Sequence, residues 1–260
     1  MFRLAVAQAP AALQTPEDRL EWLHGVMPEV AGGGADLVLL PELFVCGYNI
    51  GDAVRDRAEP LAGPTSRKIA ELARQHGVAI HYGFAEQADG HLFNAATCVS
   101  PEGRHLVHQR KLAIPPGPER QYFQQGSGCE LFEYHGLRIA TLICYDAEFP
   151  ETGRAVAGKG AELLLVPTAL GARWAWVATT LIPARAYENG IFLAYANSAG
   201  TENGMEFLGQ SFIAAPDGIE LARAGNEVEI LFADIDRARV SAAQSRLPYL
   251  RDRIALGELQ

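Results

Sequence analysis

Long hydrophobic runs are missing from this sequence of 260 residues. No apolar stretch approaches the roughly 20 residues that a membrane-spanning helix needs. Residues 1–8 enter a strand-like pattern at once, without the basic region and apolar run of a secretory signal. We therefore expect a cytoplasmic protein with no membrane partner.

Positive charge is also scarce. The chain has 22 Lys and Arg against 31 Asp and Glu, a formal net charge of -9, and it contains no Lys/Arg-rich run. Nonspecific binding to nucleic acid requires clustered cations that neutralise phosphates. The composition therefore argues against a nucleic-acid partner and favours a small-molecule substrate.

Metal-binding patterns are lacking as well. The sequence has no His-Glu-x-x-His motif, and its cysteines stand far apart with no Cys-x-x-Cys pair: Cys46, Cys98, Cys129 and Cys144. His105 and His108 are three apart in a predicted strand, so they should point to opposite faces. We expect neither a metal nor another cofactor, and we expect most of the cysteines to be free thiols.

The sequence does contain enough apolar material for one large core. It is 48% hydrophobic, and at this length a single domain over residues 1–260 suffices. Short β-rich runs alternate with helical patterns, which predicts an α/β fold of sheets covered by helices. Residues 2–9 are the first predicted strand, and Thr15 is the N-cap of a helix that Pro28 should kink or end. Further helices are predicted over residues 64–76, 150–158 and 173–189.

Three predicted strands consist of continuous apolar residues, over 36–42, 138–144 and 161–168. Strands without polar alternation are buried on both faces of a sheet. Reactive groups tend to gather just beyond the ends of such strands, where loops present them to a crevice. Glu42 and Cys144 occupy such ends.

Cys144 is the candidate nucleophile. It follows a buried strand and precedes Phe149-Pro150-Glu151, a possible helix start whose positive end would favour thiolate over thiol. The alternative is that Cys144 packs as a small hydrophobic residue, which is our interpretation of the other three cysteines. A His partner is usual for such a thiol, but most of the seven histidines are predicted at the surface, on helices, turns or strand edges, and none lies at a strand end with an obvious catalytic setting.

Glu42 and Lys111 are the other candidates for catalysis. They lie in Leu39-Leu-Pro-Glu42 and in His108-Gln-Arg-Lys-Leu112, and each alone would be interpreted as a solvated surface charge. Together with Cys144-Tyr-Asp and with Pro183-Ala-Arg-Ala-Tyr-Glu-Asn189, these segments resemble the motifs of the nitrilase, or carbon–nitrogen hydrolase, superfamily. The resemblance extends over essentially the whole chain.

The resemblance implies a four-layer α-β-β-α sandwich and homodimers or larger assemblies. It also implies a Glu-Lys-Cys triad in which Glu42 is the general base and acid. Lys111, with the backbone N–H of Tyr145, would stabilise the tetrahedral oxyanion. Glu119 matches by position the second glutamate of the family, although it could instead be an acid in the first turn of a helix.

Other residues receive structural or binding roles from the same resemblance. Arg185, Glu188 and Asn189 are similar to the family's helix-end motif, and we expect them to fix the strand that begins at Ile191. The candidates for the wall of a substrate pocket are Tyr48, Tyr145, Glu148, Ala169, Leu170, Trp174 and Asn197. Trp174 and Trp176 could equally belong to the core or to a subunit interface.

The segment Cys144-Tyr-Asp-Ala-Glu-Phe-Pro-Glu151 is similar to the amidase branches, whereas nitrile hydrolysers usually carry Trp-Glu after the Cys. Glu148 stands where branches that act on ω-amides of keto acids commonly have Arg, and an acid there would repel an anionic substrate. We therefore expect hydrolysis of a small neutral aliphatic amide to a carboxylic acid and ammonia. The alternatives are a nitrilase, an N-carbamoyl or ω-amide hydrolase, and a non-catalytic interaction scaffold.

Overall fold

Two β-sheets lie at the centre of the molecule, whose computed structural model describes residues 1–256. Residues 257–260, which the predicted domain 1–260 includes, lie outside the described residues. In the described part the strands are, in chain order, β1 (Phe2–Pro10), β2 (Leu37–Leu39), β3 (Ala79–Ala88), β4 (His91–Val99), β5 (His105–Arg110), β6 (Phe123–Gln124), β7 (Leu131–Tyr134), β8 (Leu137–Thr141), β9 (Leu163–Pro167), β10 (Phe192–Ala196), β11 (Ser198–Glu202), β12 (Met205–Leu208), β13 (Phe212–Ala214), β14 (Glu220–Arg223) and β15 (Glu229–Ile235).

Nine of these strands form one sheet and six form the other. The larger sheet has the order β12-β11-β1-β2-β3-β4-β5, with β15 also paired to β1 and β6 paired to β4. The smaller sheet has the order β14-β13-β10-β9-β8-β7. The predicted apolar strands contain β2, β8 and β9. β2 is parallel to β1 and β3, and β9 is parallel to β8 and β10, whereas β8 is antiparallel to its other neighbour, β7. Their carboxyl ends therefore open on one edge of each sheet.

The helices cover the outer faces of both sheets. In residues 1–256 they are α1 (Pro16–Gly32), α2 (Ala53–Arg57), α3 (Pro64–His76), α4 (Glu119–Tyr122), α5 (Pro150–Gly158), α6 (Ile182–Asn189), α7 (Arg237–Arg246) and α8 (Tyr249–Asp252). The 3₁₀ helices are Cys144–Glu148, Ala172–Trp174 and Arg253–Leu256, and Val177–Leu181 is a π-helix. No helix within the described range combines the length and the apolar character that crossing a bilayer requires.

Three apolar layers hold these elements together. Side chains such as Val6, Leu39 and Leu165 fill the space between the two sheets. Leu23 and Met27 of α1 and Ile69 of α3 pack on the outer face of the larger sheet. The outer face of the smaller sheet is covered by side chains of α5 and α6, including Val156 and Ile182. The arrangement is the predicted four-layer α-β-β-α sandwich, which is confirmed.

The start of α1 follows the prediction, and the helix continues past Pro28. The Thr15 hydroxyl accepts from the Asp18 N–H, and the Asp18 carboxylate accepts from the Thr15 N–H, which is a complete capping box. Pro28 does not end the helix, which continues to Gly32. Pro28 has no N–H, so the His24 carbonyl lacks its helical hydrogen bond. Both residues are exposed, and water can therefore satisfy that carbonyl.

The predicted helix over residues 173–189 is divided into three pieces. A 3₁₀ turn (Ala172–Trp174) precedes the π-helix Val177–Leu181, and regular α-helix begins only at Ile182. Pro183 explains part of this, because it has no N–H to donate to the carbonyl four residues earlier. The wider π-turn adapts the chain to that missing bond just before α6.

Candidate active site

Glu42, Lys111 and Cys144 follow the ends of strands β2, β5 and β8, as the sequence indicates. The first two strands belong to the larger sheet and the third belongs to the smaller one. The sheets meet here, since the Glu42 N–H donates to the carbonyl of Thr168 beyond β9, with an N to O distance of 3.3 Å. The three side chains are therefore brought to one end of the sandwich.

Cys144 is the first residue of its 3₁₀ helix and has a backbone φ of +47°. This left-handed conformation is uncommon for a residue other than glycine and costs on the order of 1–3 kcal/mol. The Cys144 side chain lines a large cavity although the residue is only 8% exposed. Such backbone strain is typical of functional positions, because the surrounding structure must hold it in place.

Lys111 is fully buried and lies between two carboxylates. Its Nζ donates to Glu42 Oε1 at 2.6 Å and to both oxygens of Glu119, at 2.9 and 2.8 Å. Glu119 is the first residue of α4, so it is also the acid in a first helical turn that the alternative described, but it is buried against Lys111. One ammonium thus neutralises part of the charge of two buried acids.

Asn94 and Tyr48 complete this hydrogen-bond network. Asn94 Nδ2 donates to Glu42 Oε1 at 2.7 Å and to Glu119 Oε2 at 3.1 Å, and the Tyr48 hydroxyl donates to Glu119 Oε1 at 2.6 Å. Glu42 Oε2 has no hydrogen-bond partner among the described residues. That oxygen is therefore free to accept a proton from a neighbouring group.

Sequence reasoning missed Asn94. It lies in β4, opposite Ala85 of β3, within a run that is otherwise almost wholly apolar. A single amide in a buried strand is a signal that could have identified it, because a buried polar side chain needs partners. Which partners it has depends on the pairing of β4 with its neighbours, and the sequence did not reveal that pairing.

The protonation of the site follows from burial and from neighbouring charges. Burial raises the pKa of Glu42 to about 7; the charge of Glu119 adds to this effect and that of Lys111 opposes it. Burial disfavours the charge of Lys111, but Glu42 and Glu119 outweigh it and raise the pKa of the ammonium. At neutral pH Lys111 therefore carries its proton, and Glu42 is poised between acid and base.

The prediction that a helix end stabilises a Cys144 thiolate is wrong. Burial raises the pKa of the Cys144 thiol well above its ordinary value, and the nearby Glu42 carboxylate raises it further. Lys111, the Thr168 hydroxyl and the Ala169 backbone counteract this only in part. The predicted helix after Cys144 is present as α5, but it begins only at Pro150, and Cys144 lies in the separate 3₁₀ turn before it; the effect of a helix dipole falls off within the first turn. The resting group is thus a thiol that needs a base.

A cavity of about 820 Å³ opens in front of Cys144. Its wall includes most of the residues that the sequence predicted there, namely Tyr48, Tyr145, Glu148, Ala169, Leu170 and Trp174, together with Glu119. The remaining wall is largely apolar and aromatic, and includes Phe123, Val177 and Met205. This composition is typical of a pocket for a small organic molecule.

Asn197 is not part of this wall, which corrects the prediction. It is fully buried after β10, where its side chain accepts from the Leu170 N–H at 3.0 Å and donates to the Leu170 carbonyl at 3.1 Å. It also donates to the carbonyl of Gly209 at 3.0 Å. Asn197 therefore holds the cavity-lining residue Leu170 in place from behind.

Trp174 and Trp176 are not core residues. Trp174 is 53% exposed and lies at the rim of the cavity, with the Arg173 guanidinium 5.0 Å from its ring centroid. Trp176 is 70% exposed. Of the two interpretations that the sequence left open, burial in the core is excluded for both.

The Arg185 motif is structural, but it supports a different segment from the predicted one. Arg185 donates to the carbonyls of Ala147 and Glu148 at 3.2 and 2.7 Å, and its guanidinium also pairs with Glu188. Asn189 donates to the Arg185 carbonyl at 2.9 Å. The motif thus holds the 3₁₀ turn that begins with Cys144, in place of the predicted attachment of the following strand.

The histidines take no part in the site. His81, contrary to the expectation of surface positions for most of them, is fully buried in β3, and its Nε2 lies 2.9 Å from the Thr141 hydroxyl. Within residues 1–256 no group of three or more His, Cys, Asp or Glu side chains is arranged to hold a metal ion. The chemistry available is therefore that of a thiol, two carboxylates and an ammonium.

Known proteins resemble this chain over most of its length. The model of the carbon-nitrogen hydrolase family matches residues 3–245. A protein of Pseudomonas protegens called "Hydrolase in pqqF 5'region" is 40% identical over 255 residues, which are 97% of this chain and 89% of that protein. An (R)-stereoselective amidase from Pseudomonas sp. is 36% identical over 222 residues, 85% of this chain and 80% of that protein.

Solved structures give the same result. A double mutant of the amidase from Nesterenkonia sp. AN1, in complex with acrylamide, superposes with a TM-score of 0.84 at 31% sequence identity. The match covers 98% of this chain and 94% of that one. The likeness therefore extends to the complete sandwich that carries the cavity.

Proposed function

The chain belongs to the carbon–nitrogen hydrolase family and is an enzyme of amide hydrolysis, and we propose that it converts a small neutral aliphatic amide to a carboxylic acid and ammonia through a thioester on Cys144. The observation that carries this proposal is the position of Lys111. Its ammonium is buried between Glu42 and Glu119, beside the cavity that Cys144 lines. The Cys144 thiol, the Glu42 base and the Lys111 cation can then act together on the carbonyl group of the substrate.

In the first half of the proposed reaction, Glu42 takes the proton of the Cys144 thiol while Sγ bonds to the amide carbon. The carbonyl oxygen becomes an oxyanion, which Lys111 Nζ and the Tyr145 N–H stabilise. Such a donor contributes on the order of 3 kcal/mol to lowering the barrier. The C–N bond then breaks, ammonia leaves with the proton held by Glu42, and the acyl group remains on Cys144.

In the second half, Glu42 takes a proton from water, and the hydroxide oxygen bonds to the thioester carbon. The C–S bond breaks, the carboxylic acid is released, and the proton returns from Glu42 to Cys144. One water is consumed and one ammonia is formed per amide. A carboxyl whose pKa is raised to about 7 suits this alternation, because it can both accept and release a proton near neutral pH.

The preference for a neutral substrate rests on Glu148 in the cavity wall. The charged residues that line the cavity are Glu119, Glu148 and Arg173; Glu119 is paired with Lys111, Arg173 lies beside Trp174, and Glu148 is only partly exposed. A carboxylate on the substrate would approach Glu148 and be repelled. The cavity volume does not restrict the substrate to the shortest chains, so its length must be found by experiment.

A panel of substrates tests this proposal. Ammonia release is measured with acetamide, propionamide, butyramide and hexanamide, with nitriles of the same chain lengths, and with ureido acids. The proposal predicts turnover of the neutral amides. Turnover of nitriles or ureido acids in preference to amides would replace it by the nitrilase or N-carbamoyl alternative, and binding without any turnover would favour the scaffold.

The charge preference has its own test. Butyramide and succinamic acid present the same reacting amide, but only the second carries a carboxylate. Burial raises the pKa of Glu148, so the comparison is made at mildly alkaline pH. We expect kcat/KM for the neutral amide to be at least about tenfold higher, which corresponds to about 1.4 kcal/mol, and Glu148→Gln to reduce this ratio. An unchanged ratio in Glu148→Gln would refute the assigned role of Glu148.

A further inference from the structure

Asp146 lies two residues after Cys144, is fully buried, and makes its hydrogen bonds to the backbone. Its Oδ1 accepts from the N–H groups of Leu112 and Ala113 at 3.0 and 2.8 Å. Its Oδ2 accepts from the Ile143 N–H at 3.1 Å and from the Leu112 N–H at 3.2 Å. The carboxylate therefore contacts the residue directly after Lys111 and the residue directly before Cys144.

These contacts join the two sheets. Lys111 follows β5 of the larger sheet and Cys144 follows β8 of the smaller one. The Lys111 N–H still donates to the Asn94 carbonyl at 2.8 Å, but the next two N–H groups donate to Asp146. Beyond the ends of β5 and β8, the Asp146 carboxylate accepts hydrogen bonds from backbone N–H groups that no longer pair with a neighbouring strand.

Asp146 is itself held in place. The Thr152 hydroxyl donates to its carbonyl at 2.5 Å, and Arg185 donates to the carbonyl of the next residue, Ala147, at 3.2 Å. The Lys111 ammonium is already paired with Glu42 and Glu119. The Asp146 carboxylate makes no hydrogen bond to that ammonium, and its direct contacts act on the path of the backbone.

We propose that Asp146 is a positioning residue, which fixes the distance between the Lys111 ammonium and the Cys144 sulfur by binding both backbone segments with one carboxylate. The proposal rests on the function proposed above. The two groups must act on one carbonyl, Cys144 on its carbon and Lys111 on its oxygen. A displacement of about 1 Å between catalytic groups can lower a rate by about 100-fold.

Asp146→Asn is the informative substitution. The amide has one acceptor oxygen, so in either of its orientations an NH₂ group faces a backbone N–H, on the Lys111 side or on the Cys144 side. The Ile143 bond is lost in one orientation and the Ala113 bond in the other, where Leu112 keeps only its 3.2 Å bond, so one of the two connections is broken or weakened while the size of the side chain is preserved. We expect kcat for the best neutral amide to fall by about 100-fold and KM to change less than about threefold, since the cavity wall stays in place.

Glu162→Gln is the matched control. Glu162 is also a buried carboxylate that accepts from a backbone N–H, that of Arg138, at 2.9 Å, and it pairs with Arg237. It lies at the opposite end of β8 and β9 from Cys144. The control removes the same charge with a comparable loss of stability, and we expect its kcat to stay within about threefold of wild type.

The outcomes separate the possibilities. A folded Asp146→Asn variant with kcat within threefold of wild type, or a kcat loss equal to that of Glu162→Gln, would overturn the positioning role, as would a rise in KM alone. If Asp146→Asn does not fold, Asp146→Ser is measured by the same criteria. A wild-type enzyme without amide turnover would refute the proposed function itself, whereas an active wild type with unaffected variants refutes only the role of Asp146.

Discussion

At the scale of single residues, the protonation states of Cys144 and Glu42 determine the reactivity of the site. Burial and the neighbouring Glu42 keep Cys144 as a thiol, and burial brings the pKa of Glu42 to about 7. The free Oε2 of Glu42 can receive the thiol proton during attack. In the proposed mechanism a carboxylate thus takes the place of the histidine that such nucleophiles usually have.

The pH dependence of kcat/KM follows from the state of Glu42. Below about pH 7 Glu42 is protonated in the free enzyme and cannot accept the thiol proton, so kcat/KM should fall about tenfold per pH unit as the pH decreases. It should level off above that pH. Initial rates of ammonia release over pH 5–9 measure the curve, and an acid limb near the ordinary pKa of a glutamate would contradict the assignment.

Asn94 should control the position of that acid limb. Asn94→Asp places a third carboxylate beside Glu42 and Glu119, and like charges raise each other's pKa. We expect the acid limb of kcat/KM to move up by at least about one pH unit. Asn189→Asp is the control, because Asn189 is also buried but lies outside this network, and both asparagines have an Oδ1 without a hydrogen-bond partner in residues 1–256. An equal shift in both variants would show that the network is not responsible.

The sequence was informative about the residues that end strands. Glu42 and Cys144 were predicted as strand-end groups, and with Lys111 they were identified as a set by resemblance. The residues that hold them, Asn94 and Asp146, were missed as partners. Their roles depend on strand pairing and on bonds between the two sheets, which link positions far apart in the chain.

At the scale of elements, the loop that carries Tyr48 depends on β11. Glu202 of β11 accepts from the N–H groups of Tyr48 and Asn49 at 2.9 and 2.5 Å, and it pairs with Arg19 of α1 at 2.6 Å. Both charged side chains are 3% exposed. A helix and a strand thus fix one wall of the cavity through a single carboxylate.

Removing the Glu202 carboxylate should destabilise the folded protein. Glu202→Ala leaves Arg19 buried without its partner, so we expect the free energy of unfolding to fall by about 3–5 kcal/mol and KM to rise as Tyr48 loses its support. Asp234→Asn is the comparison, because its pair with Arg3 is exposed and should contribute less than about 1 kcal/mol. Urea denaturation of both variants measures the difference, and equal losses would contradict this account.

The helices were predicted to different degrees. The segments Pro64–His76 and Pro150–Gly158 appear with the predicted bounds, because proline at the start and glycine at or near the end mark them clearly. Val177–Leu181 was predicted as ordinary helix and is a π-turn. Hydrophobic periodicity cannot show such a local change of pitch, since the same side chains still face the sheet.

At the scale of the whole molecule, the active site requires both halves of the sandwich. The larger sheet supplies Glu42 and Lys111, and the smaller sheet supplies Cys144. The sequence predicted layers of sheet and helix from alternating patterns, and resemblance supplied the number and order of the layers. The pairing of β15 with β1, across more than 200 positions of the chain, could not be deduced from local patterns.

The predicted homodimer or larger assembly stays a prediction. Large exposed aromatic side chains, among them Trp176 at 70% and Tyr187 at 41% exposure, are the candidates for such an interface. Light scattering should then give at least twice the 28.1 kDa of one chain. A particle with the mass of one chain at all concentrations would contradict the expectation.

Cys144 is the central residue of the proposed mechanism, and ammonia release by matched cysteine variants tests its role as the nucleophile most directly. Cys129 is as exposed as Cys144, at 8%, and is also a free thiol, but it is not among the residues that line the cavity. With the best neutral amide, Cys144→Ala should lose at least about 10³-fold in kcat while remaining folded, and Cys129→Ala should keep nearly full activity. Ammonia release by Cys144→Ala at the wild-type rate would contradict the account.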